Sequence, residues 1–442
     1  MTHKNIHEKI LSHAEKKSIQ FFDGFISSVV ESASGAKDGM PFEVSASERS
    51  SLILRVWNKN GEVGVVQTSN LSEEGLITAL EMAEHISVYD QVKCVYNSFY
   101  KNQKFNSAKQ EAQKLVPIKS LSKAAIECEK FLLSSLKSIK SVPYNKVSQK
   151  FSFRAYFNSE GIFREDSFNS TGCYFYPLAE QEGKIPRQMG EYAFANDFQL
   201  LEPMLCAEQA LIKLKSHLNY GKIQSGKYKV LFSPESFLNI FESFTNFFNA
   251  QNILDQKSLS KMEDLGKKIS IDALNIVDDP IHYSNKFQTT FDQEGNAHIE
   301  NSIINQGVFN SLMHSSHTAK IFNSLPTGNS SLGSKLTLSP NYLHVYGTNT
   351  EKFNELPKED YIYIENVKAL HAGVNQLQGS FSLPFDGFLI SQGEKQSVES
   401  ATVAGDFFAL LKQIFFMGDK LKSLPSGYCP EVGVEDLFVT SK

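Results

Sequence analysis

The periodicity of apolar residues changes near Lys227, and this change constrains the fold more than any other feature of the sequence. Before it, β-like runs alternate with predicted helices at residues 5–19, 72–85, 121–139 and 199–218. Beyond about residue 269, short strands and Gly- or Asn-containing turns predominate, and only residues 406–421 have a helical period. The sequence therefore predicts an α+β fold, with an N-terminal α/β region and a large, mostly-β C-terminal domain.

A chain of 442 residues is too long for one ordinary hydrophobic core, which indicates several domains. We predict an N-terminal α/β domain at residues 1–120, a middle α+β domain at 121–225 and a mostly-β domain at 226–442. Residues 88–120 are polar and weakly patterned, as in a linker with a short helix.

Local signals predict several boundaries between elements. Asn60 and Gly61 separate two apolar runs, at 51–57 and 64–67, which is typical of a β-hairpin. Residues 158–161 predict a second turn, within a strand region at 147–176. Ser233 and Pro234 predict a helix start after a strand at 228–232. The Phe residues that follow share one helical face, and we expect them to pack in the core.

Charge and cysteine content exclude several classes of protein. The net charge is -5, and no basic domain or stripe suggests nucleic-acid binding. No apolar run is long enough for a membrane span, and no apolar segment typical of a signal peptide follows the charged N-terminus. The five Cys residues are scattered without a CxxC pair, which favours reduced thiols. We therefore expect a cytoplasmic protein.

Four stretches of the sequence match those of a known family, in the same order along the chain. They are Leu54-Arg55-Val56 through Leu71; residues 276–280 with 291–295; Gly307 with 317–320 and 327–329; and Asn375-Gln-Leu-Gln-Gly-Ser-Phe381, continuing to Pro430-Glu431-Val432. On these stretches the chain resembles the TldD/PmbA family of metallopeptidase subunits, also called modulators of DNA gyrase. The resemblance implies two related subunits around an inner channel. It also implies a TldD-like subunit whose HExxxH motif binds zinc and which cleaves peptides or unfolded segments, and a PmbA-like (TldE) subunit without that motif.

None of the 11 His residues lies in an HExxxH motif. Aligned with the family, the motif positions fall on residues 241–246, where Phe241, Glu242 and Asn246 stand, so neither metal ligand is retained. We expect Glu242 to be a solvated helix residue and Cys429 to be a structural thiol. His314 and His317 could share one helical face, but no Glu lies between them, and we predict no metal for this chain.

The sequence thus predicts a non-catalytic TldE/PmbA-like subunit of a zinc metallopeptidase, with the zinc in a TldD-like partner. Two alternatives stay open: a metallopeptidase active on its own through an atypical site, and a homodimeric peptide-binding protein without proteolytic activity. From the resemblance we place substrate binding on residues 375–385, by addition of a peptide strand. An ordinary buried strand is the alternative there. The candidate substrate-binding residues are Asn375, Gly379, Ser380, Phe381 and Ser382.

Overall fold

The computed structural model describes residues 3–89, 92–99, 115–333, 335–349, 351, 353 and 355–441. The chain divides into two compact units. Unit 1 comprises Met1–Ser216, Lys286–Ala297 and Ala319–Thr337, and unit 2 comprises His217–Asn285, His298–Thr318 and Leu338–Lys442. No helix within the described ranges is long and apolar enough to cross a membrane. The domain boundaries predicted from the sequence stay a prediction.

Unit 1 is built on an antiparallel sheet that, in the described residues, has strand order β3-β2-β1-β4-β5-β6, with β7 paired to β5. The strands are β1 Phe21–Lys37, β2 Met40–Trp57, β3 Val63–Thr68, β4 Ile139–Asn158, β5 Phe163–Ala179, β6 Arg187–Gln188 and β7 Glu191–Ala195. The helices are α1 His3–Lys17, α2 Glu73–Tyr89, α3 Ile118–Ser135 and α4 Pro203–Ser216. Helices α1 and α2 bury Ile6, Ile10, Leu76 and Leu80 against the sheet.

The predicted turns of unit 1 are confirmed. Gly61 has φ +77° between β2 and β3, and Gly161 has φ +81° between β4 and β5, a conformation that favours glycine. The helix predicted to reach Ile139 ends at Ser135 instead, and Ile139 begins β4. Ile139 pairs with Ala179 of β5, which supplies backbone hydrogen bonds. The local helical period contains no information about this distant partner. Most of the predicted linker lies outside the described residues.

Unit 2 contains a mixed sheet with the order β12-β11-β10-β15-β22-β9-β16-β18-β19-β8, while β17, β20 and β21 pair beside that path. Its strands are β8 Tyr220–Gly221, β9 Gly226–Phe232, β10 Leu274–Asp278, β11 Asn301–Asn305, β12 Val308–Phe309, β15 Leu343–Gly347, β16 Tyr361–Val367, β17 Val374–Asn375, β18 Ser380–Ser391, β19 Glu394–Val398, β20 Ala401–Asp406, β21 Ile414–Leu424 and β22 Gly427–Ser441. Its helices are α5 Pro234–Ser243, α6 Ala250–Leu254, α8 Leu370–Gly373 and α9 Phe407–Lys412. Three short elements occur between residues 316 and 338: α7 Ser316–Ile321, β13 Ser330–Ser331 and β14 Thr337–Leu338.

The predicted helix at residues 406–421 is wrong over most of its length. Helix α9 ends at Lys412, and β21 begins at Ile414 and pairs with β22. This pairing satisfies the backbone hydrogen bonds of residues whose apolar spacing alone is typical of a helix. The α+β class itself is confirmed, because helices alternate with strands in the N-terminal half and strands predominate in the C-terminal half.

Candidate functional site

Helix α5 carries the first of the residues predicted to align with the zinc motif, and its start follows from the local sequence. The side chain of Ser233 accepts a hydrogen bond from the Ser236 amide, and Pro234 occupies the first turn, where a missing N–H costs nothing. The helix ends at Ser243, and a short 3-10 segment, Thr245–Phe248, follows. The motif positions 241–246 therefore span the end of one helix and the start of another.

Phe241 is buried in a cluster of phenylalanine rings. Its ring centroid lies 5.4 Å from that of Phe248 and 5.7 Å from that of Phe407, and 1% of the residue is exposed. Phe244, one residue beyond α5, stacks on Phe407 at 4.7 Å. The predicted packing of the Phe residues in the core is confirmed. The first predicted ligand position is therefore filled by an aromatic side chain that packs in the core.

Glu242 lies at the edge of this core, and the prediction of a solvated helix residue is wrong. The residue is partly buried, and burial raises the pKa of its carboxyl, while a hydrogen bond with Ser426 acts in the opposite direction. Cys429 is fully buried nearby, and burial together with the Glu242 charge raises the pKa of its thiol well above the ordinary value. A buried, protonated thiol is a poor metal ligand, in keeping with a structural role for Cys429.

Asn246, at the second predicted ligand position, acts as a hydrogen-bond donor. Its Nδ2 donates to the backbone carbonyl of Gln376 at 3.3 Å, and 9% of the residue is exposed. Its Oδ1 is buried and has no hydrogen-bond partner among the described residues.

The residues at the motif positions do not fit a zinc ion. Zinc binding needs imidazole, thiolate or carboxylate groups that converge on one point. Phe241 offers none of these groups, and the side chain of Asn246 is a neutral amide, which is not among them either. Across the described part of the chain, no three His, Cys, Asp or Glu residues form a group that could hold a metal ion.

His314 and His317 do not form a pair on one helical face, because α7 begins at Ser316 and leaves His314 outside the helix. His314 is buried, its Nδ1 lies 3.3 Å from the hydroxyl of Thr318, and burial lowers the pKa of its imidazole to about 4. The side chain is thus packed as a neutral core residue.

A cavity of about 730 Å³ lies beside the end of α5. It is lined by Ser243, residues 370–377 and residues 380–382. None of these side chains is Asp, Glu, Lys or Arg; the polar ones are amides, hydroxyls and one imidazole, that of His371. We name it the α8–β18 cavity, because α8, β17 and the start of β18 form most of its wall.

Four of the five candidate substrate-binding residues, Asn375, Ser380, Phe381 and Ser382, line the α8–β18 cavity. The fifth, Gly379, shapes it, since its φ of +72° turns the chain from β17 into β18. We name residues 375–379 the 375–379 turn. Sequence reasoning did not single out Ser243, Gln376 or Leu377 as lining residues, although the last two lie inside the Asn375–Phe381 stretch.

Of the two strands at the cavity, β18 is paired along one edge with β20, whereas β17 has an unpaired edge among the described residues. β18 pairs with β20 from Ser380 to Phe385, and its side chains alternate, with Phe381 and Leu383 buried and Ser382 exposed. Within the described residues, β17 pairs only with β18, so its other edge has no strand partner. Leu377, at the tip between the two strands, is 64% exposed.

Two family models match most of this chain. The model described as the PmbA/TldA metallopeptidase central domain matches residues 112–218, and the one for the C-terminal domain matches residues 225–441. The chain belongs to the PmbA/TldD family. The second model includes α5 and the α8–β18 cavity, so the site described above lies within a domain that family members share.

Curated relatives in the PmbA/TldD family are named as metalloproteases. Metalloprotease PmbA of Escherichia coli O157:H7 is 21% identical over 98% of this chain and 99% of its own length. A Metalloprotease PmbA homolog of Buchnera aphidicola is 27% identical, over 62% of this chain and 60% of its own length.

Solved structures of similar proteins share the fold along the whole chain. A Thermotoga maritima protein, named as a proposed modulator of a DNA gyrase, has a TM-score of 0.86 at 22% identity, covering 99% of this chain and all of that chain. TldE from Thermococcus kodakarensis has a TM-score of 0.81 at 17% identity, covering 98% of this chain and all of that chain. At such identities, these likenesses show the fold alone.

Proposed function

We propose that this chain is a non-catalytic, TldE/PmbA-like subunit of a cytoplasmic zinc metallopeptidase that acts on peptides or unfolded segments. The zinc and the HExxxH motif would belong to a TldD-like partner. The observation that carries the proposal is the occupation of the two ligand positions by a buried Phe241 and a hydrogen-bonded Asn246. The metalloprotease names of the relatives support a peptidase context.

The role proposed for the chain itself is to hold an extended peptide in the α8–β18 cavity. The open edge of β17 offers backbone donors and acceptors to an added strand, which recognises peptides with little dependence on sequence. The exposed Leu377 beside it offers an apolar contact. Amide and hydroxyl side chains complete the wall without charge.

Zinc content and cleavage test whether the chain is catalytic. We expect the purified chain to hold no stoichiometric zinc by elemental analysis, to leave a fluorogenic peptide intact, and to keep its thermal unfolding midpoint after EDTA. One zinc per chain that disappears in the H314A/H317A variant, or cleavage that EDTA abolishes, would contradict the proposal and favour a peptidase active on its own.

Mass in solution tests the partnership. We expect the chain mixed with a TldD-like, HExxxH-containing chain from the same genome to elute as a heteromeric complex that cleaves peptide faster than that partner alone. A homodimer that ignores the partner and still binds peptide would favour the alternative of a binding protein without proteolytic activity.

Substitution of the exposed Leu377 tests the location of the peptide. Leu377→Asp should weaken binding of a fluorescent unstructured peptide, because it replaces an apolar contact with a hydrated carboxylate. Gln392→Asp is the matched control, since Gln392 is exposed at the tip between β18 and β19, outside the cavity. Equal affinities of the two variants would show that the placement is wrong.

A further inference from the structure

The end of α5 and the 3-10 segment after it each form one hydrogen bond with the same residue of the 375–379 turn, Gln376. The Gln376 side chain donates from Nε2 to the Ser243 carbonyl at 2.9 Å. The Gln376 carbonyl accepts from Asn246 Nδ2 at 3.3 Å. Residue 376 is thus held through both its side chain and its backbone, although it is exposed.

The far end of the turn is supported by Phe407 of α9 and by the segment that follows α5. The Gly379 carbonyl accepts a hydrogen bond from the Phe407 amide at 2.7 Å. A Cβ on Gly379 would lie 3.6 Å from the ring of Phe247, so the turn rests against this ring. The Phe381 ring lies 6.4 Å from that of Phe244. The residues after α5, together with Phe407, therefore pack against the turn and the start of β18.

Asn246 has a feature that packing alone does not explain. Its Oδ1 is buried without a partner among the described residues, and an unsatisfied buried polar atom costs about 1–3 kcal/mol. An apolar side chain of similar size would avoid this cost. However, an apolar side chain could not donate the hydrogen bond that Asn246 Nδ2 donates to the Gln376 carbonyl.

We propose that Asn246 is a positioning residue, which holds the 375–379 turn so that Leu377 and the open edge of β17 face an incoming peptide. The inference rests on the proposed function for its ligand, an extended peptide, but the anchoring itself is independent of it. In this chain, the residue at the predicted position of a zinc ligand thus holds the 375–379 turn in place.

Asn246→Asp tests the anchor with a side chain of nearly the same shape. A carboxylate cannot donate to the Gln376 carbonyl, and its oxygens repel that oxygen. We expect amide hydrogen exchange in residues 375–379 to accelerate, and the peptide Kd to rise, by roughly five- to tenfold, the loss of one hydrogen bond. Because a protonated carboxyl can donate, affinity should return towards that of the natural chain as the pH falls to about 5, since burial raises a carboxyl pKa.

Asn249→Asp is the matched control. Asn249 is also buried, but its Nδ2 donates to the Leu338 carbonyl and its Oδ1 caps α6, away from the turn. This variant should lose stability without faster exchange in residues 375–379. The proposal is overturned if Asn246→Asp leaves that exchange unchanged, if both variants accelerate it equally, or if affinity does not recover at low pH. If the natural chain binds no peptide while Asn246→Asp still accelerates exchange, the proposed function fails and the anchoring stands.

Discussion

At the scale of single residues, Arg55 shows how unit 1 accommodates a charge in its interior. Its guanidinium donates to both carboxylate oxygens of Asp23, from Nε at 2.8 Å and from Nη2 at 2.6 Å, and to Glu294 at 3.0 Å. The side chains of all three are at most 2% exposed. Removing the cation would leave two carboxylates close together without their counterion.

We therefore expect Arg55→Ala to lower the free energy of unfolding by about 3–5 kcal/mol, the usual effect of breaking a buried ion pair. Urea denaturation followed by the fluorescence of Trp57 measures this loss. Arg49→Ala is the control, because the Arg49–Glu31 pair is exposed, and its removal should cost less than about 1 kcal/mol. Similar losses in the two variants would contradict a stabilising role for the buried network.

Glu242 gives a pH-dependent prediction at the same scale. Burial raises its carboxyl pKa above the ordinary 4.5, so the folded state holds the proton more tightly than the unfolded state does. The contribution of the protonated Glu242 carboxyl to the free energy of unfolding is complete below pH 4.5. It is lost as the pH rises through the pKa of the folded state.

Glu242→Gln should therefore be more stable than the natural chain at pH 8, and the difference should vanish near pH 4, because the amide cannot ionise. Urea unfolding at both pH values measures it. Gln can still accept a hydrogen bond at the position where Ser426 contacts the carboxyl, so that contact is preserved. A constant difference across the pH range would show that ionisation of Glu242 is not its cause.

At the scale of elements, the start of α5 is fixed to the bulge in β16. The hydroxyls of Ser233 and Ser236 both donate to the Glu365 carbonyl, at 2.7 and 3.0 Å. The Glu365 side chain contacts Nε2 of His217 at 2.9 Å, and Nδ1 of that ring lies 2.8 Å from the Ser397 hydroxyl. Helix α5 is thus held at its first turn by the neighbouring strand.

Ser233→Ala removes both the helix cap and a bond to β16. We expect it to cost about 2 kcal/mol, at the upper end for an N-cap, because the Ser236 amide that loses its partner belongs to a buried residue. Ser72→Ala, at the exposed start of α2, is the matched control and should cost about 1 kcal/mol or less. Chemical denaturation of both variants measures the two losses in the free energy of unfolding. A smaller loss in Ser233→Ala than in Ser72→Ala would contradict this account.

At the scale of the whole molecule, the α8–β18 cavity differs from the rest of the chain in having no charged side chain among its lining residues. The chain has 44 Lys and Arg and 49 Asp and Glu residues, which gives the net charge of -5, yet none of those that the structure describes lines the cavity. Screening by salt acts mainly on charged partners, so it should have little effect on a peptide bound there.

We expect the Kd of an uncharged peptide to change by less than about threefold between 0.05 and 0.5 M salt. Leu377→Lys places a cation at the mouth of the cavity and should make the binding of an acidic peptide weaken with salt. Fluorescence anisotropy at several salt concentrations measures both. A steep salt dependence in the natural chain would show that peptides bind at a charged surface instead.

The sequence by itself determined the features that depend on neighbours along the chain. Gly61 and Gly161 form the predicted turns because glycine tolerates positive φ, and Ser233 caps α5 because its hydroxyl can satisfy a free amide. Residue types alone also show that Phe241 and Asn246, at the predicted motif positions, are not zinc-binding side chains.

Only the tertiary structure decided which of several locally possible states a segment adopts. Ile139 and residues 414–421 have a helical period but lie in strands, because β5 and β22 supply backbone partners from elsewhere in the chain. Glu242 is partly buried and Asn246 contacts Gln376, 130 residues away, because packing brings distant segments together. Local propensities contain no information about such partners, so the contacts of Glu242 and Asn246 could not be predicted from the sequence.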